Sequence, residues 1–165
     1  MKDIIYYSKL SITDIEQAKR IITEYIQSMN IDFSFQDIDG ELLSFPDKYK
    51  EPEGTFIIAK QGDDICGCVG LTKIDHETCE MKRLFVRDAF KGLGIGKELL
   101  LRILQEGTVK GYKTMRLHTH RQMKKALEIY RFVGFYEIEP YTYNPVEGTV
   151  YMERDCNTSF PPIPK

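Results

Sequence analysis

Apolar and polar positions change their period along this chain, from short alternating runs to helical spacing and back, and the changes divide it into elements. Ile4 to Tyr7 reads as a first strand, and Ser11-Ile12-Thr13-Asp14 opens a helix whose apolar side is Ile15, Ala18, Ile22, Tyr25 and Ile26. Met29 to Tyr49 follows neither period and reads as irregular, briefly helical around Glu41-Leu42-Leu43. Strands are predicted near Thr55 to Lys60, Ile65 to Thr72 and Thr78 to Val86, with a turn at Ile74 to Glu77, and together they make an antiparallel meander. A helix from Gly94 to about Glu106 has Leu99, Leu100, Ile103 and Leu104 on one side. A strand at Thr114 to His118, a helix at Met123 to Val133 and strands near Tyr136 to Glu139 and Gly148 to Arg154 complete the order.

Strand runs followed by helix crossovers argue an α/β class, an α+β mixed sheet with helices on both faces. At 165 residues the chain fits one domain with a sizeable core, and Phe160-Pro161-Pro162-Ile163-Pro164-Lys165 ends a Pro-rich tail from about residue 157 that reads as an extended arm. The net charge is −2 with acidic and basic residues interspersed, which disfavours nucleic acid as the main partner. No apolar run approaches the ~18 residues needed to span a bilayer, and Met1 to Tyr6 lacks a signal-peptide core. A cytoplasmic location without membrane association is the expectation. Cys66, Cys68, Cys79 and Cys156 form no Cys-x-x-Cys unit. Cys66 and Cys68 share a face by strand alternation, and with Cys79 and His76 they could approach a metal, but strand cysteines are usually small core residues and no metal is expected.

Chemistry concentrates between Glu80 and Leu101. The strand Glu80-Met81-Lys82-Arg83-Leu84-Phe85-Val86 leads through Arg87-Asp88-Ala89-Phe90 into Lys91-Gly92-Leu93-Gly94-Ile95-Gly96 and then directly into a helix. Strand, glycine turn and helix leave backbone N–H groups at the positive end of the helix dipole, which suits a phosphate. A Walker loop is excluded because Gly96-Lys97 is followed by Glu98, with no hydroxyl for magnesium, and a dinucleotide fingerprint lacks its third glycine at Lys97.

The run Lys91 to Gly96, following a strand that ends at Val86, resembles the acyl-CoA-binding motif Arg/Gln-x-x-Gly-x-Gly/Ala of the GNAT N-acetyltransferases. Lys91 stands where the family usually has Arg or Gln; it keeps the charge and loses the planar fork. Ala126-Leu127-Glu128-Ile129-Tyr130-Arg131-Phe132-Val133-Gly134-Phe135 is similar to the family's later helix and turn, Ala-x-x-x-Tyr-x-x-x-Gly-Phe. The resemblance implies a mostly antiparallel sheet in which two central strands splay apart to admit acetyl-CoA as co-substrate. It further implies that Leu84, Phe85, Val86, Lys91, Gly92, Leu93, Gly94, Ile95, Gly96, Lys97, Ala126 and Tyr130 line the cofactor. Many relatives carry Asn where this chain has Met123, so Thr119 or His120 is expected to contact the cofactor arm, or else to be a solvated loop pair.

Acetyl transfer needs a deprotonated amine, a polarised thioester carbonyl and a proton for the departing thiolate. The family resemblance assigns the proton to Tyr130, otherwise a core tyrosine, and the polarisation to backbone N–H groups at Leu84 to Val86. It assigns the base to Glu80, otherwise an ion-pair partner. Strand alternation places Glu80, Lys82, Leu84 and Val86 on one face, with Lys82 keeping the Glu80 carboxylate ionised. Acceptor selection falls to the segment after the first helix, with Phe33, Phe35 and Gln36, and to the loop near Tyr141 and Tyr143. These aromatics, with Asp37, Asp39, Glu137 and Glu139, suit a small cationic or amino-acid-like amine, or a peptide amino group. The competing reading is a non-catalytic acyl-CoA-binding sensor. Dimers are common in the family, and no sequence feature marks an interface.

Overall fold

A computed structural model describes residues 3–159, so the end of the tail, Phe160 to Lys165, lies outside the described residues. Seven strands form one sheet in the order β1-β2-β3-β4-β5-β7-β6: β1 Ile4–Tyr7, β2 Thr55–Gln61, β3 Asp64–Lys73, β4 Thr78–Val86, β5 Thr114–His120, β6 Tyr136–Ile138 and β7 Thr149–Asp155. Every neighbouring pair is antiparallel except β4 and β5. The predicted meander is β2-β3-β4, and β7 inserts between β5 and β6.

Four α-helices cover the two faces: α1 Ile12–Ser28 and α2 Ile38–Ser44 on one, α3 Ile95–Val109 and α4 Lys124–Phe132 on the other. In α1 a reciprocal capping box joins Ser11 and Asp14, and Asp14 also accepts from the Tyr7 hydroxyl at 2.8 Å and from Lys60 at 3.3 Å. Burial works against the Asp14 charge, but these donors outweigh it and hold the carboxyl below its usual range. Ala18, Ile21 and Ile22 of α1 pack with Phe45, Tyr49, Phe56 and Ile58 into one core; Leu99, Leu100, Ile103 and Leu104 of α3 join Met115, Leu127 and Tyr130 in the other. Helix α3 runs one turn further than the spacing suggested, to Val109.

Two bulges change which face the central side chains occupy. The β2–β3 register passes from Ala59↔Gly67 to Lys60↔Ile65, so Cys66 is an extra residue and the parity flips there. Cys66 enters the core under α3 and Cys68 the core under α1; they do not share a face as alternation suggested, and with His76 exposed in the turn no metal cluster forms among the described residues. The β3–β4 register passes from Cys68↔Phe85 to Gly70↔Lys82, putting two residues, Arg83 and Leu84, opposite one. Arg83 sits at φ 60, in the left-handed region unusual for a non-glycine residue. The single face expected for Glu80, Lys82, Leu84 and Val86 is therefore split. Leu84 and Val86 pack toward α3 with Cys79 and Met81, whereas Glu80 and Lys82 face the side of α1 and α2.

Candidate active site

Strands β4 and β5 pair only at Thr78↔Thr114, Cys79↔Met115 and Glu80↔Arg116, then part. The parting opens a cleft lined by Met81, Lys82, Arg83 and Leu84 from β4, by Leu117 to His120 from β5 and by Tyr130 from α4. Its outer wall comes from the end of α1 and the segment beyond it, including Tyr25, Phe33, Phe35 and Gln36, and from Asn144 and Val146 of the β6–β7 loop. Beyond Glu80, the β5 side of the β4 backbone has no partner strand.

At the end of β4 a short 3-10 turn at Asp88–Phe90 leads into the glycine run. Gly92 has φ 83 and Gly94 φ 79, and a Cβ built at either would meet nothing within 4 Å, so these residues serve backbone geometry with open space above it. Gly94 caps α3 without any side-chain hydrogen bond, as a residue with no side chain must. Leu93 is exposed and Ile95 is buried in the core. This is a cradle that fits an anion, and a side chain at Gly92 or Gly94 would occupy its mouth. Lys91 pairs with Asp88 at 2.8 Å on the open surface.

Tyr130 lies across the cleft, 7% exposed, with its ring edge-on to Phe135 at 5.8 Å. Its hydroxyl has no hydrogen-bond partner among the described residues, and burial raises its pKa, so it is a neutral donor facing the cleft. Ala126 is half-buried against the same core. His120 is occupied at both ring nitrogens: Nδ1 accepts from the Gln122 N–H at 3.1 Å and Nε2 meets the Glu147 carbonyl at 2.8 Å. The ring thus ties β5 to the loop before β7, which leaves Thr119 as the hydroxyl lining the cleft beside it.

Glu80 is 9% exposed and stands behind the cleft wall. Tyr141 donates to its Oε2 at 2.6 Å, Lys82 Nζ lies 3.8 Å from Oε1, and His118 Nε2 lies 4.0 Å from Oε2. The Lys82 neighbour expected from the sequence is in place. His118, which sequence reasoning treated only as the end of a strand, is the titratable base that lines the cleft in front of Glu80. Asn144 contacts its Nδ1 at 3.1 Å, an arrangement that leaves Nε2–H directed toward Glu80. Burial lowers the His118 pKa, with Glu80 opposing and Lys82 adding to the shift, so the ring is neutral near pH 7.

Burial likewise pushes the Lys82 ammonium down to about 8, opposed by Glu80 and reinforced by Arg83 and Lys48. Arg83 makes a bidentate pair with Glu41 of α2, at 3.1 and 3.2 Å, with both side chains 4% exposed. Burial opposes the Glu41 charge, but Arg83 overcomes it and holds the carboxyl below its usual range. Tyr49 donates to Glu41 at 2.9 Å and Arg83 donates to Gln36 at 2.8 Å. This network carries no local sequence signal, because Arg83 lies 42 residues from Glu41 and 47 from Gln36.

The two segments expected to select the acceptor do meet: Phe35 stacks on Phe33 and stands edge-on to Tyr143 at 6.3 Å. The acidic residues expected there do not line the cleft. Asp37 caps α2 through the Gly40 N–H, and Glu137 pairs with Arg121 at 2.9 Å. Asp39 and Glu139 are both exposed elsewhere.

The parallel pair that parts beside a glycine-capped helix is the layout that the sequence resemblance implies, and the comparisons agree with it. The model of the Acetyltransferase (GNAT) family matches residues 20–135, and the chain belongs to this family. An uncharacterised N-acetyltransferase of Schizosaccharomyces pombe is 36% identical over 146 residues, 87% of this chain and 90% of its own. A GNAT acetyltransferase structure from Staphylococcus aureus superposes with a TM-score of 0.77 at 21% identity, covering 94% of this chain and 100% of its own. The PaiA N-acetyltransferase of Thermoplasma acidophilum, solved with coenzyme A, gives a TM-score of 0.69 at 21% identity, covering 93% of this chain and 99% of its own. No helix among the described residues is long and apolar enough to cross a membrane.

Proposed function

We propose that this protein transfers the acetyl group of acetyl-CoA to a primary amine of a small molecule or a peptide, by direct attack. The observation that carries the reading is the parting of β4 from β5 after Glu80, with an uncapped helix start at one end and the Tyr130 hydroxyl inside. A bound coenzyme A in the Thermoplasma relative supports acetyl-CoA as co-substrate here.

In this reading the N–H groups of Gly92 to Lys97 hold the pyrophosphate, and backbone N–H groups at Leu84 to Val86 polarise the thioester carbonyl. The acceptor ammonium gives one proton through His118 and Glu80 to solvent. The amine nitrogen then forms the amide C–N bond as the C–S bond breaks, and the nitrogen's second proton balances the one that Tyr130 gives the thiolate. Amide, CoA thiol and one solvent proton are the products.

Thermal unfolding with acetyl-CoA, CoA and ATP, followed by a thiol-release assay over an amine panel, tests this. Acetyl-CoA at ~100 times its dissociation constant adds about 2.7 kcal/mol, which is roughly 5 to 10 °C for a domain of this size. A rise with acetyl-CoA but not ATP, together with amine-dependent thiol release, is expected. A rise with no amine-dependent release would favour the sensor; no rise at all would overturn the reading.

A further inference from the structure

Asn144 sits over the one basic atom of His118. Its Oδ1 accepts the Val146 N–H at 3.0 Å, so its Nδ2 is the atom that lies 3.1 Å from His118 Nδ1. An amide nitrogen only donates, which makes Nδ1 the acceptor and puts the proton of the neutral ring on Nε2, 4.0 Å from Glu80 Oε2. A neutral imidazole has a single in-plane lone pair, and Asn144 covers it. His118 and Asn144 both line the cleft while Glu80 stands behind it, so Nδ1 is the nitrogen presented to a molecule in the cleft. Packing on Tyr151 at 5.8 Å and edge-on to Tyr141 at 6.4 Å holds the ring in this orientation.

The hold on Asn144 itself is light. Its loop is anchored before it, where Tyr141 donates to Glu80 and the Tyr151 hydroxyl to the Thr142 carbonyl. It is anchored again after it, where the Val146 carbonyl accepts from Thr149 and the Glu147 carbonyl meets His120. Between these anchors the backbone of residues 143–145 makes no hydrogen bond among the described residues, and Tyr143 is 75% exposed. Asn144 can therefore leave Nδ1 without disturbing either anchor. An acceptor amine offers Nδ1 the same chemistry, a nitrogen with hydrogens to donate.

We propose that Asn144 is a positioning residue that keeps His118 in its Nε2–H form and occupies the place of the acceptor nitrogen until the amine displaces it. One N–H donor replaces another at Nδ1. The proton of the acceptor ammonium then moves to Nδ1, and the imidazolium keeps its Nε2–H toward the Glu80 carboxylate, which stabilises it. The bonds made at carbon and broken at sulfur are those of the proposed acetyl transfer, on which this role rests.

The test compares Asn144→Asp with Asn144→Ala. Aspartate keeps the shape of asparagine and an oxygen for the Val146 N–H, but turns the donor facing Nδ1 into an acceptor. Long-range 1H–15N spectra of the imidazole, assigned by the signals lost in His118→Gln, should show a bare Nδ1 and a protonated Nε2 in the parent. In Asn144→Asp, Nδ1 should carry a proton and the His118 titration should move up by at least about one pH unit, as an opposite charge beside it causes. Burial, then Glu80, Lys82, Arg83 and Lys48, set the parent titration, and these groups, with Tyr141, Tyr151 and Arg116 beside them, are the same in both variants.

Thiol release from acetyl-CoA with phenethylamine, putrescine, phenylalanine and alanyl-glycine gives the second readout. The acid limb of kcat/KM should move up with the titration in Asn144→Asp. In Asn144→Ala, KM for the amine should fall about fivefold, the equivalent of one ordinary hydrogen bond that no longer has to be displaced. A residue that only shaped the loop would leave the titration of Asn144→Asp parent-like and raise KM in Asn144→Ala. A protonated Nδ1 in the neutral parent ring, an unmoved titration in Asn144→Asp, or an unchanged or raised KM in Asn144→Ala overturns the proposal. Absence of thiol release from the parent with every amine would overturn the acetyl-transfer reading and the place-holding role with it, while the spectra decide the His118 tautomer without turnover.

Discussion

The Tyr141 hydroxyl donates to Glu80 Oε2 at 2.6 Å, linking a loop after β6 to the last residue at which β4 and β5 remain paired. The same ring lies under the Arg116 guanidinium at 5.2 Å and edge-on to Tyr151 at 5.5 Å, so its position is fixed from three sides. Burial, then Glu80, raises the Tyr141 pKa, which keeps the hydroxyl a donor at all ordinary pH. Tyr141→Phe keeps the ring contacts and leaves the carboxylate one donor short. A charged hydrogen bond contributes about 1.5–3 kcal/mol, so the unfolding midpoint should drop by several degrees. Differential scanning calorimetry checks this, and a change under about one degree would mean that the bond is not held in solution.

Glu41 and Arg83 form a buried ion pair between α2 and the β4 bulge, 42 residues apart in sequence. Removing one partner of a buried pair costs about 3–5 kcal/mol, whereas replacing both by apolar residues of similar size costs far less. Glu41→Gln is therefore expected to destabilise strongly, and Glu41→Leu with Arg83→Met to recover most of the loss in urea unfolding. Additive losses in the double variant would show that the two side chains act independently.

How much of this was legible in the sequence follows from where each element gets its stability. The helices α1, α3 and α4 and the meander were readable because Ala18, Leu99, Leu100 and Leu127 repeat at the period of the structure they form. The glycine turn was readable because Gly92 and Gly94 take backbone angles other residues avoid. The two bulges were not: Cys66 and Arg83 carry no local mark of an extra residue, and alternation read through them assigns the wrong face to Cys68, Leu84 and Val86. Segment 29–49 was also opaque, since its order comes from Arg83 and Phe56, which are remote contacts rather than local preference. His118 escaped notice because a histidine in a strand looks like any other strand residue until the cleft opens beside it.

Lys82 carries a pH signature in stability. Its pKa falls from 10.5 in the unfolded chain to about 8 in the folded one. Between these values the unfolded state binds more protons, so the contribution of Lys82 to stability rises with pH from about 8 upward. Subtracting the stability profile of Lys82→Met from that of the parent isolates this rise from tyrosine ionisation, which is common to both. A flat difference over pH 8–10 would show that Lys82 is better solvated than its burial implies.

Tyr130→Phe removes the one neutral hydroxyl on α4 that faces the cleft and leaves the ring's packing on Phe135. Turnover should fall by about 10²-fold, the lower end for loss of a general acid, with the acetyl-CoA-induced rise in unfolding midpoint unchanged. Parent-like turnover would remove Tyr130 from the chemistry and return it to the core.

Gly94 and Gly96 differ in how they tolerate a side chain. At Gly94, φ 79 makes any L side chain strained, and Gly94→Ala should cost about 1 kcal/mol of stability whatever it does to the ligand. Gly96 has no such φ, and an added Cβ would stand 3.6 Å from Val86 Cγ2, an ordinary contact. Because alanine favours helix over glycine by up to about 1 kcal/mol, Gly96→Ala should leave stability equal or slightly raised. The motif accepts alanine at this position, so Gly96→Ala should keep its acetyl-CoA affinity, whereas Gly94→Ala should weaken it, as isothermal titration would register. Weakened binding in Gly94→Ala beside parent-like binding in Gly96→Ala would tie the anion to the left-handed glycine before α3. Undiminished affinity in Gly94→Ala would move the pyrophosphate away from the turn.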